Sequence, residues 1–91
     1  MDIDVKHDKE NERFVVRIDG HEAYLSYSLF ADEIDLSFVY TSPELRNKGI
    51  AAIIVEHALN YAKENNLKVI PSCSYVQAFV KRNDNYNDLL A

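Results

Sequence analysis

Hydrophobic and polar residues alternate along the first half of the chain and then switch to a helical period. Phe14, Val16 and Ile18 fall on one side of a strand pattern, with Arg13 and Arg17 on the other. Asp19-Gly20 follows, a dipeptide suited to a two-residue hairpin turn. From Glu22 to Phe30, Ala23, Leu25, Tyr27 and Leu29 alternate against Tyr24, Ser26 and Ser28. Ala31-Asp32-Glu33 reads as the next turn. Beyond it, Ile34, Leu36, Phe38 and Tyr40 are expected to share a face opposite Asp35, Ser37 and Val39. Upstream, Ile3 to Lys6 alternates weakly and Asp8 to Glu12 has turn composition. Strands joined by turns this short predict an antiparallel meander of three or four strands.

The period changes after Tyr40. Ser42-Pro43-Glu44-Leu45 resembles a helix start, with Pro43 at a first-turn position. Between Lys48 and Asn65, the residues Ala51, Ile54, Val55, Ala58 and Ala62 recur at helical spacing, and Glu56, Asn60, Lys63 and Glu64 take the opposite side. Asn65-Asn66 ends that helix. Leu67 to Pro71 reads as a short buried strand, with Pro71 closing the ladder. A second helix is predicted over Ser74–Arg82, followed by a tail from Asp84 to Ala91. Strand, long helix and short strand make a βαβ unit, which sets the segments Ile34–Tyr40 and Leu67–Pro71 parallel through a right-handed crossover. The expected architecture is α+β, a single domain over residues 1–91.

Composition narrows the functional classes. A chain of 91 residues buries only about 60–65% of its unfolded surface, enough for one modest core. No apolar run approaches the roughly 18 residues of a membrane helix, and Met1-Asp2-Ile3-Asp4 has neither the basic nor the apolar part of a signal peptide. The expectation is a cytoplasmic protein without a membrane partner. One cysteine leaves no intrachain disulfide and no multi-cysteine zinc site, so no metal is expected. A net charge of −5 argues against nucleic acid as a partner, since phosphate backbones demand clustered cations. The aromatic residues Phe14, Tyr24, Tyr27, Phe38 and Phe79 recur at strand or helix spacing, which suits packing better than base stacking.

Candidate chemistry concentrates in Arg46-Asn47-Lys48-Gly49-Ile50-Ala51. A tight turn that opens a helix leaves backbone N–H groups without intrahelical partners, and the helix dipole adds positive potential there. Gly49 lets an anion approach the backbone, Asn47 tolerates a left-handed conformation, and Arg46 and Lys48 add charge. A solvated helix start would have the same composition. The seat lies at the carboxyl end of a strand, where open sheets usually bind ligands.

In this context the chain resembles the GNAT-type N-acetyltransferase superfamily, whose coenzyme A motif, Gln/Arg-x-x-Gly-x-Gly/Ala, opens the helix after the fourth strand. Arg46 through Ala51 satisfy it. Glu22-Ala23-Tyr24-Leu25-Ser26-Tyr27 and Ile70-Pro71-Ser72-Cys73-Ser74-Tyr75-Val76 extend the similarity to the minimal single-domain subfamily of roughly 90–100 residues. The resemblance implies that acetyl-CoA or coenzyme A is the cofactor. Its pantetheine arm would lie between splayed parallel strands against main-chain groups of Phe38, Val39 and Tyr40. The pyrophosphate would rest on the N–H groups of Asn47, Lys48, Gly49, Ile50 and Ala51. A main-chain N–H near Val39 would face the oxyanion formed from the thioester. The resemblance further implies cofactor contacts from Ser74, Phe79 and Arg82. Lys81-Arg82 would serve the 3′-phosphate, or simply form an exposed basic pair at a helix end.

Cys73 falls where a helix begins, a place that favours thiolate over thiol, and Ser72 is expected to cap that helix. A lone cysteine also packs well as a small hydrophobe. Members of the resembling subfamily commonly carry cysteine here, which implies a catalytic role, either accepting the acetyl group or protonating the departing thiolate. Many of them have histidine where this chain has Phe38, so that general base is missing. His57 borders the polar side of the long helix, while His7 and His21 are expected in solvent. Glu44, near the cofactor seat, is either a water-mediated base or a solvated helix-start carboxylate. Larger relatives build the acceptor site from helices between the first strands, and here only Asp8–Glu12 is available. The acceptor amine is then large and brings its own surface, such as a protein lysine or N-terminus, or a homodimer completes a site that a monomer lacks. The alternative function is a non-catalytic module binding CoA or acyl-CoA.

Overall fold

The structure, a computed structural model, describes residues 3–91. Its strands are β1 (Lys6–Asp8), β2 (Arg13–Ile18), β3 (His21–Phe30), β4 (Glu33–Thr41) and β5 (Lys68–Ile70), and its helices are α1 (Ile50–Glu64) and α2 (Ser74–Arg82). They form one five-stranded sheet in the order β1-β2-β3-β4-β5. All neighbours are antiparallel except β4 and β5, which run parallel. This is the α+β arrangement expected from the sequence. β1 lies slightly downstream of the weak Ile3–Lys6 alternation: Asp8, expected in the turn, pairs with Arg13. Asp19 and Gly20 join β2 to β3 with φ of 52° and 79°, the doubly left-handed turn that matches strand twist.

The expected single face along β4 does not hold. Ser26 pairs with Phe38 but Tyr27 pairs with Leu36, so Ser37 is an extra residue, a β-bulge. The Ser37 hydroxyl donates to the Ser26 carbonyl at 3.1 Å. One inserted residue reverses the sidedness of everything after it. Ile34 and Leu36 are fully buried, whereas Phe38 is 53% exposed. Phe38 and Tyr40 therefore point to the outer face, and Val39 turns inward to pack against the core.

The inner face carries that core. Phe14, Val16, Ala23, Leu25, Tyr27, Ile34 and Leu36 meet the stripe Ile50, Ile54, Val55, Ala58, Leu59 and Ala62 of α1. Val76, Phe79 and Val80 of α2 join the same cluster. Leu29, which alternates with Ala23, Leu25 and Tyr27 in the sequence, is 47% exposed near the end of β3. Ile50 rather than Ala51 leads the buried stripe. α1 starts at Ile50, not Lys48, because Asn47 and Gly49 hold φ of 63° and 74°, outside the helical region. At its other end Asn66 has φ of 56°. Leu67 N–H donates to Ala62 (2.9 Å) and Asn66 N–H to Lys63 (3.4 Å), a Schellman closure. The tail coils as a 3₁₀ segment, Asp84–Leu89, and Leu90 then bridges Val69.

Candidate functional site

Between β4 and α1 the chain makes a 3₁₀ turn, Pro43–Leu45, in which Arg46 N–H donates to the Pro43 carbonyl at 3.3 Å. Arg46 also donates from Nε to the Thr41 carbonyl at 3.1 Å, tying the turn to the strand end. Asn47 and Gly49 then turn the chain left-handed, and Gly49 becomes the N-cap of α1 with no side chain capping it. The first-turn N–H groups therefore face outward with the helix dipole behind them. They border a cleft of about 340 Å³. Arg46, Asn47, Gly49, Ile50 and Ala51 line it, as do Thr41, Leu45 and Tyr75. A Cβ on Gly49 would meet nothing within 4 Å. The glycine is thus required for its φ, and any side chain there would extend into open space. A cradle of main-chain donors, two flanking cations and an open cleft fit a phosphorylated cofactor.

Next to the cleft the parallel pair opens. β5 pairs with β4 only at Glu33, Ile34 and Asp35. Ser72 N–H then turns back to the Ile70 carbonyl at 3.0 Å, and Cys73 N–H makes the last link, to Leu36 at 2.9 Å. Among the described residues, β4 continues to Thr41 without a partner strand on that side. Strand geometry leaves alternate N–H and C=O groups of residues 37–41 facing the gap, a template for an extended ligand.

Cys73 stands where the strands part. It is the N-cap of α2, half-buried and packed against the core. No side chain caps α2, so Ser72 does not play the expected capping part. The remaining sequence-derived residues are spread out. Lys48 and Ser74 are exposed beside the turn and at the α2 start, and Arg82 is exposed at the α2 end. Phe79 is 8% exposed within the core, its ring 6.0 Å from that of Tyr86. Neither Phe79 nor Arg82 lines the cleft. Thr41, Leu45 and Tyr75 do line it but escape sequence reasoning. Their contribution depends on how the strand end, the turn and the start of α2 converge.

His57 is exposed on α1, at the border of its polar side as expected, whereas His7 and His21 are less exposed than the sequence suggested. His7 is half-buried, not solvated: its ring stacks on Phe14 at 4.2 Å, and its Nε2 lies 2.6 Å from the Tyr27 hydroxyl. Burial, with Lys9 and His57 nearby, holds its pKa below the ordinary value. Burial also raises that of Tyr27, so both partners of this hydrogen bond are held in their uncharged forms. His57 lies edge-on to Phe14 at 5.5 Å, within that same cluster. His21, also half-buried, places Nδ1 3.4 Å from Glu44 Oε1. Among the described residues no group of three or more His, Cys, Asp or Glu is placed to hold a metal, and no helix is long and apolar enough to cross a membrane.

Residues 13–89 match the family of GCN5-related N-acetyl-transferases. Protein NATD1 of Gallus gallus is 36% identical over 84 residues, covering 89% of this chain and 76% of its own. Protein NATD1 of Danio rerio is 32% identical over 82 residues, covering 87% and 74%. The solution structure of a GCN5-like protein from Staphylococcus aureus superposes with a TM-score of 0.76 at 26% identity, covering 97% of this chain and 87% of that one.

Proposed function

Since the chain belongs to the GCN5-related N-acetyltransferase family, we propose that it passes an acetyl group from acetyl-CoA to an amine acceptor, with Cys73 as the reacting side chain. The observation that carries this reading is the gap between β4 and β5 opening beside the uncapped start of α1. Bound acetyl-CoA would supply the acetyl group as an activated thioester. The N–H groups from Asn47 to Ala51 hold the pyrophosphate, with Arg46 and Lys48 adding charge. Main-chain groups of Phe38, Val39 and Tyr40 pair with the pantetheine arm across the gap. A main-chain N–H near Val39 stabilises negative charge on the carbonyl oxygen. Ser74 stands at the α2 start, within the same reading. Phe79 supports α2 from the core, and Arg82 remains a candidate only for the distal phosphate.

Two roles are open to Cys73. As nucleophile its thiolate would attack the thioester carbonyl, expelling CoA as thiolate, and the acetyl-cysteine would then pass its acetyl group to the amine and return to thiolate; as general acid its thiol would protonate the departing CoA thiolate. Phe38 occupies the position at which a strand histidine would compete. Incubation with acetyl-CoA followed by intact and peptide-level mass analysis tests binding and chemistry together. A nucleophilic Cys73 gains the mass of one acetyl group, and Cys73→Ala keeps CoA binding while losing transfer. Full transfer by Cys73→Ala to an identified acceptor would leave direct attack by the amine as the mechanism.

A further inference from the structure

Among the described residues, Tyr75 alone brings α2 into the cleft at the α1 turn. It lies in the first turn of α2, two residues after Cys73, the N-cap of that helix. The side chain is half-buried and packs against the hydrophobic core, so the fold itself sets where the ring stands. No hydrogen bond to another described residue engages its hydroxyl. The ring stands beside a path whose two ends are already defined. At one end Cys73 N–H donates to the Leu36 carbonyl at 2.9 Å, where β4 and β5 part. At the other, Thr41 closes β4 and lines the cleft together with Arg46, Asn47 and Gly49. The strand from Leu36 to Thr41 covers no more than about 16 Å, at about 3.3 Å per residue. Its backbone walls the path on one side, and Tyr75 reaches the Thr41 end from α2.

We propose that the Tyr75 ring packs on the pantetheine arm of bound coenzyme A and holds it against β4, which sets the reach of the thioester toward Cys73. The inference rests on the acetyl-transfer reading above and adds the side chain that fixes the arm from the wall opposite the strand. Main-chain groups of β4 can pair with the amides of the arm but give its methyl and methylene groups no apolar partner. An aromatic face supplies one, and its hydroxyl end stays compatible with the wet mouth of the cleft. The order of groups along coenzyme A decides between the arm and the adenine. That order is thiol, arm, pyrophosphate, adenosine. Tyr75 borders the pyrophosphate cradle and shares a helix start with Cys73, so it stands between the two marks where the arm passes. The adenine leaves the cradle on the side away from Cys73.

The test is binding of unlabelled CoA to the isotopically labelled full chain, followed by NMR titration and isotope-filtered NOESY. Contacts are expected between the Tyr75 ring protons and the methyl or methylene protons of the arm. Tyr75→Ala should raise the dissociation constant for CoA about tenfold, whereas Tyr75→Phe should stay within about twofold of the original. Affinity for adenosine 3′,5′-bisphosphate, which carries no arm, should be the same in all three proteins. General damage to the fold would not produce that split. Unchanged CoA affinity in Tyr75→Ala, equal losses for CoA and the bisphosphate, or Tyr75 contacts confined to adenine protons would each overturn the inference. All three outcomes leave the cradle at Arg46–Ala51 standing. Absence of any CoA-induced shift at Arg46–Ala51 in the unaltered chain would instead remove the acetyl-transfer reading, and this inference with it.

Discussion

Gly49 combines a backbone requirement with an electrostatic one, and substitution separates them. Its φ of 74° penalises any side chain, yet a Cβ meets nothing within 4 Å. Gly49→Ala is therefore expected to cost about 1 kcal/mol in urea denaturation, from backbone strain alone. Gly49→Glu adds a carboxylate to the anion cradle and should abolish the melting shift produced by CoA. His7 makes a second prediction. Burial lowers its pKa in the folded chain, so the folded state favours the neutral ring. Stability from this group is fully present above the unfolded value of 6.5 and is lost as pH falls through the lower folded value. Melting temperature should drop on acidification below about pH 6.5, and His7→Gln should flatten that drop while losing the stack on Phe14.

At the scale of elements, the bulge in β4 does more than any single side chain. Its extra residue, Ser37, sends Phe38 and Tyr40 outward and Val39 inward. Deleting Ser37 would restore even pairing, drive Phe38 into space filled by the core and turn Val39 to solvent. Loss of dispersed amide NMR signals, or loss of the CoA-induced shift in whatever still folds, is the expected result. The end of α1 is simpler. Asn66 occupies a left-handed position with φ of 56°, which asparagine and glycine tolerate best. Asn66→Ala should cost about 1 kcal/mol in denaturant titration, whereas Asn66→Gly should be close to neutral. α1 must end there for Lys68 to enter β5 beside β4, so this cap also positions the gap.

For the whole molecule, ligand linkage is the relevant prediction. At a hundredfold excess over its dissociation constant, CoA should stabilise the fold by about 2.7 kcal/mol. In a domain of this size that corresponds to a rise in melting temperature of roughly 10–20 °C. A rise that Gly49→Glu removes and Cys73→Ala retains would place binding at the α1 turn and separate it from chemistry at the strand end.

The local pattern of the sequence was sufficient for most of the elements, the parallel pair and the glycine turn that opens α1. Alternation, the Asp19-Gly20 turn, the helical stripe and Arg46–Ala51 each depend on neighbours a few residues apart, and each appears where that spacing puts it. Side-chain direction past Ser37 was not legible, because a bulge exists only in the pairing of two strands and leaves no mark in one strand's alternation. Nor was the burial of His7, since Phe14, Tyr27 and Tyr61 reach it from β2, β3 and α1. The cleft walls at Thr41, Leu45 and Tyr75 are likewise products of convergence. Short-range periodicity thus chose the elements, while contacts between residues distant in sequence decided which way their side chains face.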